Sequence, residues 1–129
     1  MPEIHRYYLS PSQIEYHPTL DQTKMLDFAR KTGMLITAYS PLGHGHLLSN
    51  ETLQKIADKH SASIAQICIA RLLQQRCVVI PKASARERIQ ENFNAQKIVL
   101  DVEDLKMIDT LPKSHRYVTP PLISPKWNE

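Results

Sequence analysis

Three short apolar or β-branched runs, each stopped at a proline, constrain this chain more than anything else in it. Residues 12–16 form a strand-like run closed by His17-Pro18. Met34-Leu35-Ile36-Thr37-Ala38-Tyr39 is almost continuously apolar and ends at Ser40-Pro41, and Cys77-Val78-Val79-Ile80 is bounded by Pro81. Proline has no amide hydrogen and cannot extend a central ladder, so each run is expected to end where its proline stands. The second and third runs have the pattern of strands buried on both faces, as a parallel sheet requires.

Helical spacing fills the intervals. Leu20, Met25, Leu26, Phe28 and Ala29 recur at helical period and stop at Gly33, a left-handed cap. Leu53, Ile56 and Ala57 mark a short helix ending near His60. Ser63-Ile64-Ala65-Gln66 has the form of a capping box, opening a helix that runs to about Gln75. Ser84-Ala85-Arg86-Glu87 has the same form and predicts a helix with Ile89 and Phe93 turned inward. A last helix is expected from an Asp101 N-cap through Leu105, Ile108 and Leu111 to Pro112. Residues 113–129, with Pro120, Pro121 and Pro125, have no period and are expected to wrap over a surface as an irregular tail.

Strands alternating with helices imply βαβ units, because a parallel neighbour is reached only through a crossover of about a dozen residues or more. The fold class is therefore α/β, in a single unit over residues 1–129. Period alone does not separate an open doubly wound sheet from a section of a closed barrel. The chain has no Gly-x-Gly-x-x-Gly turn, which weighs against the open, dinucleotide-binding type.

Charge narrows the partners. The formal net charge is only +3, with Lys and Arg interleaved among Asp and Glu, which gives no basis for nucleic-acid binding. Cys68 and Cys77 are not in metal-ligand spacing and suggest buried thiols in a reducing compartment. The start lacks the basic flank and apolar core of a leader, and no run approaches the ~18 apolar residues of a membrane span; a cytoplasmic location is expected. Six histidines include His44-x-His46, yet three ligands at productive spacing are not present, so no metal is expected. His17, before Pro18, is expected to be structural.

Four stretches carry a resemblance: Gln13-Ile14-Glu15-Tyr16-His17-Pro18, Thr37-Ala38-Tyr39-Ser40-Pro41-Leu42-Gly43, Ile80-Pro81-Lys82, and Arg88-Ile89-Gln90-Glu91-Asn92. In this order and spacing the chain resembles the aldo-keto reductases from the sixth barrel strand onward. Its closing Arg116-Tyr117-Val118-Thr119-Pro120-Pro121 and Ser124-Pro125-Lys126-Trp127 look most like bacterial members of the 2,5-diketogluconate reductase type. The resemblance implies part of a (β/α)8 TIM barrel, the last three strand-helix units plus the tail, with ligands at the C-terminal ends of the strands.

It also implies NADPH as cofactor and a small carbonyl compound as substrate. By resemblance Gln13 bonds the nicotinamide carboxamide, Tyr39 stacks on the nicotinamide ring, and Ser40 and Leu42 contact the pyrophosphate. Lys82 and Arg88 match the cations on the adenosine 2′-phosphate, and Glu91 and Asn92 match the adenine contacts. A guanidinium fork and an ammonium suit a dianionic phosphate. Ala83 stands where many members carry a serine that also bonds this phosphate.

The family's proton-donating tyrosine and its lysine, aspartate and histidine partners belong to the first half of the barrel, and no residue here is assigned those roles. Tyr7, Tyr8, Tyr16 and Tyr117 do not match the catalytic tyrosine. The expectation is a C-terminal fragment with little carbonyl reduction of its own. The alternative is an NADP(H)-binding module completed by self-association or by another chain. A barrel of this type takes eight strands and about 250 residues, so three strands are expected to leave open sheet edges through which copies associate.

Overall fold

A computed structural model describes residues 12–118. Tyr7, Tyr8 and the proline-rich end of the tail lie outside the described residues. Three parallel strands, β1 (Ser12–Glu15), β2 (Ile36–Tyr39) and β3 (Val78–Val79), form one sheet in sequence order. β1 and β2 are joined through helix α1 (Thr23–Thr32). β2 and β3 are joined through a 3-10 segment (Gly43–Ser49) and helices α2 (Glu51–Lys59) and α3 (Ile64–Gln74). Helix α4 (Arg86–Asn94), a 3-10 turn (Ala95–Lys97) and helix α5 (Val102–Asp109) follow.

Register places Gln13 opposite Thr37, Glu15 opposite Tyr39, and Thr37 opposite Val78. Because successive strand residues alternate faces, Ile14, Tyr16, Ile36, Ala38, Cys77 and Val79 share one side. They pack there against Leu26 and Ala29 of α1 and Leu72 of α3. Gln13, Glu15, Thr37, Tyr39 and Val78 lie on the other side, away from these helices. A second core joins α2 to α3 through Leu53, Ile56, Ile67 and Cys68, and Ile108 of α5 closes it. Each of these large side chains is essentially excluded from solvent, a burial worth roughly 2–3 kcal/mol for an Ile or Leu. Burial pushes the Cys68 thiol up to about 12, so it acts as an inert apolar group.

Local signals that rest on side-chain chemistry form as expected. Gly33 ends α1 in the left-handed region at φ 72°, and the Ser63–Gln66 capping box closes reciprocally at the start of α3. Asp101 caps α5, with Asp104 reaching back to the Asp101 amide. Among the described residues no helix is long and apolar enough to cross a membrane.

Three expectations need correction, all near the third strand. β3 is not buried on both faces: Val78 is 42% and Ile80 45% exposed, because β3 pairs with β2 alone and nothing described covers its other side. Ser84 does not cap α4. Ala85 holds the cap position, one residue beyond the serine, and no side chain caps this helix. Ile89 and Phe93 are exposed, at 54% and 64%, since α4 buries none of its residues against the described elements.

Asp104 is the fully buried acid of the α2–α5 junction. It accepts from Lys59 at 2.8 Å, from His60 at 2.7 Å and from the Asp101 amide at 3.0 Å. Burial alone raises a carboxyl's pKa, but these donors outweigh it and hold Asp104 at about 2, below the ordinary 3.8. A depressed folded value means that the ionised group stabilises the fold above about pH 4, and that this contribution disappears as pH falls toward 2. Asp104→Asn is expected to cost on the order of 1–3 kcal/mol at neutral pH and to flatten the loss of stability between about pH 4 and 2. Chemical denaturation at several pH values checks both, and an unchanged acid limb in the variant would rule out this role for Asp104.

Candidate functional site

The C-terminal ends of β2 and β3 open into two adjoining cavities. One, of about 460 Å³, is lined by Leu42, Ser63, Lys82, Arg88, Glu91 and Asn92 among others. The second, of about 400 Å³, is lined by Ser40, Leu42, His44, Ile80, Lys82 and Arg88 among others. Leu42, Lys82 and Arg88 border both. Six of the eight residues singled out in the sequence therefore come together around one continuous region. Gln13 and Tyr39 stand apart from these cavities, on the face of the sheet away from α1 and α3. Tyr39 is connected to the cavities directly through Ser40.

Each position has a local cause. Ser40 leaves β2 at φ 51°, a left-handed conformation uncommon for a residue with a side chain, and its carbonyl accepts from the Gly43 amide at 2.9 Å. After this sharp turn Leu42 packs against the α2–α3 core and borders both cavities. Lys82 follows the Pro81 stop, and Arg88 lies in the first turn of α4.

The α3 capping box also orients α4. The Ser63 hydroxyl donates to the Glu91 carboxylate, and Gln66 Nε2 donates to the Glu91 carbonyl at 2.9 Å. Glu91 is thereby engaged within the protein, and Lys82 and Arg88 remain exposed cations at the cavity rim. Two cations, with the one lining carboxylate already bonded, make a donor set that fits a phosphate group.

The tail closes the other side of this end. Residues 113–118 return to β1: Leu20 bridges Ser114 in antiparallel sense, and the His115 amide donates to the Thr19 carbonyl at 3.0 Å. The Tyr117 and Val118 amides donate to the two oxygens of Glu15, at 2.7 and 3.2 Å. Glu15 also accepts from His17 Nε2 at 2.9 Å, and Thr19 Oγ1 bonds His17 Nδ1 at 3.0 Å.

Burial works against the Glu15 charge, but the Tyr117, His17 and Val118 donors hold its carboxyl below the usual range. Burial lowers His17 in turn. The pair is therefore a carboxylate with a neutral imidazole that donates from Nε2 and accepts from the Thr19 hydroxyl. The Tyr117 ring stacks on His46, with centroids 4.7 Å apart and planes at 6°.

The Aldo/keto reductase family model matches residues 5–113. The chain belongs to that family. It is 45% identical to aldose reductase B of Dictyostelium discoideum over 111 residues, covering 84% of this chain and 36% of that protein. To methylglyoxal reductase DkgB of Escherichia coli O157:H7 it is 36% identical over 120 residues, covering 93% and 45%. The fold superimposes on a variant of Gox0644 crystallised in complex with NADPH, with a TM-score of 0.74 and 38% identity. That match covers 78% of this chain and 37% of the other. The chain thus spans less than half the length of these relatives. The three parallel strands with their helices correspond to part of the TIM barrel of an aldo-keto reductase.

Reading the sequence identified His17 as structural and missed the partnership behind it. Glu15 ends the polar side of β1 and His17 follows two residues on, with the apolar Ile14 before them and Tyr16 between them, which signals a buried polar pair. Nothing local pointed to Tyr117 and Val118, more than a hundred residues away.

Gly43 is what lets the tail sit down. A Cβ there would meet Tyr117 Cε2 at 2.6 Å, and the residue already lies at φ 53°. Gly43→Ala is expected to cost roughly 1–3 kcal/mol, from left-handed strain plus displacement of the ring. It is also expected to change the near-UV dichroism of the tyrosines. Unaltered stability and dichroism would show that the tail does not rest on this glycine.

Proposed function

We propose that this chain holds NADPH for carbonyl reduction of the kind aldo-keto reductases perform on aldehydes and ketones. In this reading Lys82 and Arg88 bind the 2′-phosphate of the adenosine, and Glu91 and Asn92 border the adenine. Ser40 and Leu42 flank the pyrophosphate, and Gln13 and Tyr39 orient the nicotinamide over the open face of the sheet. The observation that carries it is the convergence of Lys82, Arg88, Leu42, Glu91 and Asn92 on a single cavity at the strand ends. The cofactor, when bound, supplies a hydride.

The same reading gives this segment the binding half of the task. No described residue is assigned the role of proton donor to the carbonyl oxygen, so reduction is proposed to need groups outside residues 12–118. We also propose that copies of the chain associate through β1 and β3, each of which has β2 as its sole neighbour among the described strands.

Titration with NADPH, followed by tyrosine and tryptophan fluorescence, tests the reading. Loss of both cations in Lys82→Ala/Arg88→Ala is expected to weaken NADPH binding by roughly tenfold to a hundredfold and to leave NADH binding nearly unchanged. Aldehyde-dependent oxidation of NADPH by the chain alone is expected to be absent. If the double variant binds NADPH as the parent does, the assignment of the phosphate site is wrong. Sedimentation at several concentrations checks the association, and a concentration-independent monomer would dismiss it.

A further inference from the structure

A third cavity lies on the far side of the sheet from the open face, between α1, α3, α5 and the tail. Its volume is about 240 Å³, and it shares no lining residue with the two cavities described above. At roughly 30 Å³ per water it has room for a small ion with part of its hydration, and it is too small for a nucleotide.

Two of its polar side chains, Arg71 and Tyr16, have donors that no acceptor among the described residues meets at hydrogen-bond distance. Arg71, on α3, keeps only 17% of its side chain exposed, and its nearest acidic oxygen, on Asp109, is 3.9 Å away, beyond hydrogen-bond distance. Asp109 itself is turned outward, at 64% exposure. Arg71 makes no other ion pair or hydrogen bond among the described residues. Tyr16 is 8% exposed and lines the same cavity, and its hydroxyl likewise has no partner there. Burial raises the Tyr16 pKa, with the Arg71 charge as the leading opposing influence, so the phenol stays protonated and lies near the guanidinium.

The remaining polar groups set the sign of the site. Lys113 donates to the Pro18 and Ile108 carbonyls at 2.7 and 2.8 Å, which fixes its ammonium at the wall. Arg30, more than half exposed, enters from α1, donates to Gln75 at 2.9 Å and pairs with Asp27 at 3.1 Å. Asp21, the other lining acid, is committed to the Thr23 amide and hydroxyl, at 2.9 and 2.6 Å. The cavity thus offers Arg71, Lys113 and a phenol, with Arg30 already paired to Asp27, against two lining carboxylates that are engaged locally or turned to solvent. Among the described residues no side-chain donor is both fully buried and unpaired, so the free donors of Arg71 and Tyr16 open onto the cavity, where an acceptor can reach them.

We propose that this cavity binds a small tetrahedral oxyanion of the phosphate class, with the Arg71 guanidinium and the Tyr16 hydroxyl as its principal donors. The site is separate from the proposed cofactor cradle and does not depend on that reading.

The test is thermal unfolding of the full chain titrated with inorganic phosphate, compared with potassium chloride at equal ionic strength. Phosphate is expected to raise the melting temperature beyond the chloride control, both in the parent and in Lys82→Ala/Arg88→Ala. The apparent dissociation constant is expected to rise by roughly tenfold or more in Arg71→Gln and severalfold in Tyr16→Phe. Should Arg71→Gln fail to fold, Tyr16→Phe decides, because it removes one oxygen and retains the ring. Phosphorus-31 line broadening with a simple phosphate monoester separates the sources: broadening by both ions supports recognition of the phosphoryl group itself, and broadening by the monoester alone supports a phosphorylated metabolite. The proposal fails if phosphate and chloride act alike on the parent. It also fails if the phosphate effect survives in the Tyr16 and Arg71 variants or vanishes with Lys82 and Arg88.

Discussion

A carboxylate placed in the interior at the end of a strand must be surrounded by donors, and in this protein that requirement organises one whole end of the sheet. Glu15 is 2% exposed. An isolated buried charge costs far more than a domain's margin of stability, so its oxygens must be met. One donor, His17, comes from the next turn of chain. The others are main-chain amides of Tyr117 and Val118, which brings the tail across the strand ends. With the tail there, the Tyr117 ring needs a floor, and Gly43 and His46 supply it. The turn after β2, which carries Ser40 and Leu42, is thus bounded on one side by the strand and on the other by the tail.

Much of the fold was legible because its signals are short-range. Period defines α1 and α2, glycine ends α1, and the Ser63 box and Asp101 cap act within four residues. The parallel order followed from strand and helix alternation. What failed near β3 has a common reason. Whether Val78, Ile89 and Phe93 are covered depends on surfaces elsewhere, and an apolar side chain does not encode which surface will arrive. Ser84 failed more narrowly: the helix starts one residue later than the capping pattern implies, and a shift of one position takes the hydroxyl out of reach.

The candidate site was legible to the degree that its residues carry the family's motifs. Lys82, Arg88, Glu91 and Asn92 were grouped by the family resemblance, and the fold does bring them to one cavity. The tether that orients α4 was not legible, since the pairing of Ser63 and Gln66 with Glu91 spans helices packed in three dimensions. Glu91 shows the consequence, for a residue expected to face a ligand spends its carboxylate on the protein. Nor did any pattern suggest that Tyr16 and Arg71, in unrelated segments, would face one another across a polar cavity.

Helix α4 begins without a side-chain cap, and none of its residues is fully buried. The first amides of any helix lack intrahelical partners, and here no side chain among the described residues caps them. The order of that first turn is then only partly a property of the polypeptide: an anion that accepts from those amides would contribute to the helix as a cap does, and its binding free energy would appear as local folding. Hydrogen exchange in α4 would accordingly vary with solution composition where the same measurement in α3, closed by its own serine and glutamine, would not. Two helices adjacent in the fold thus differ at their starts: α3 carries its own reciprocal cap, and the first amides of α4 are left for whatever acceptor solution brings.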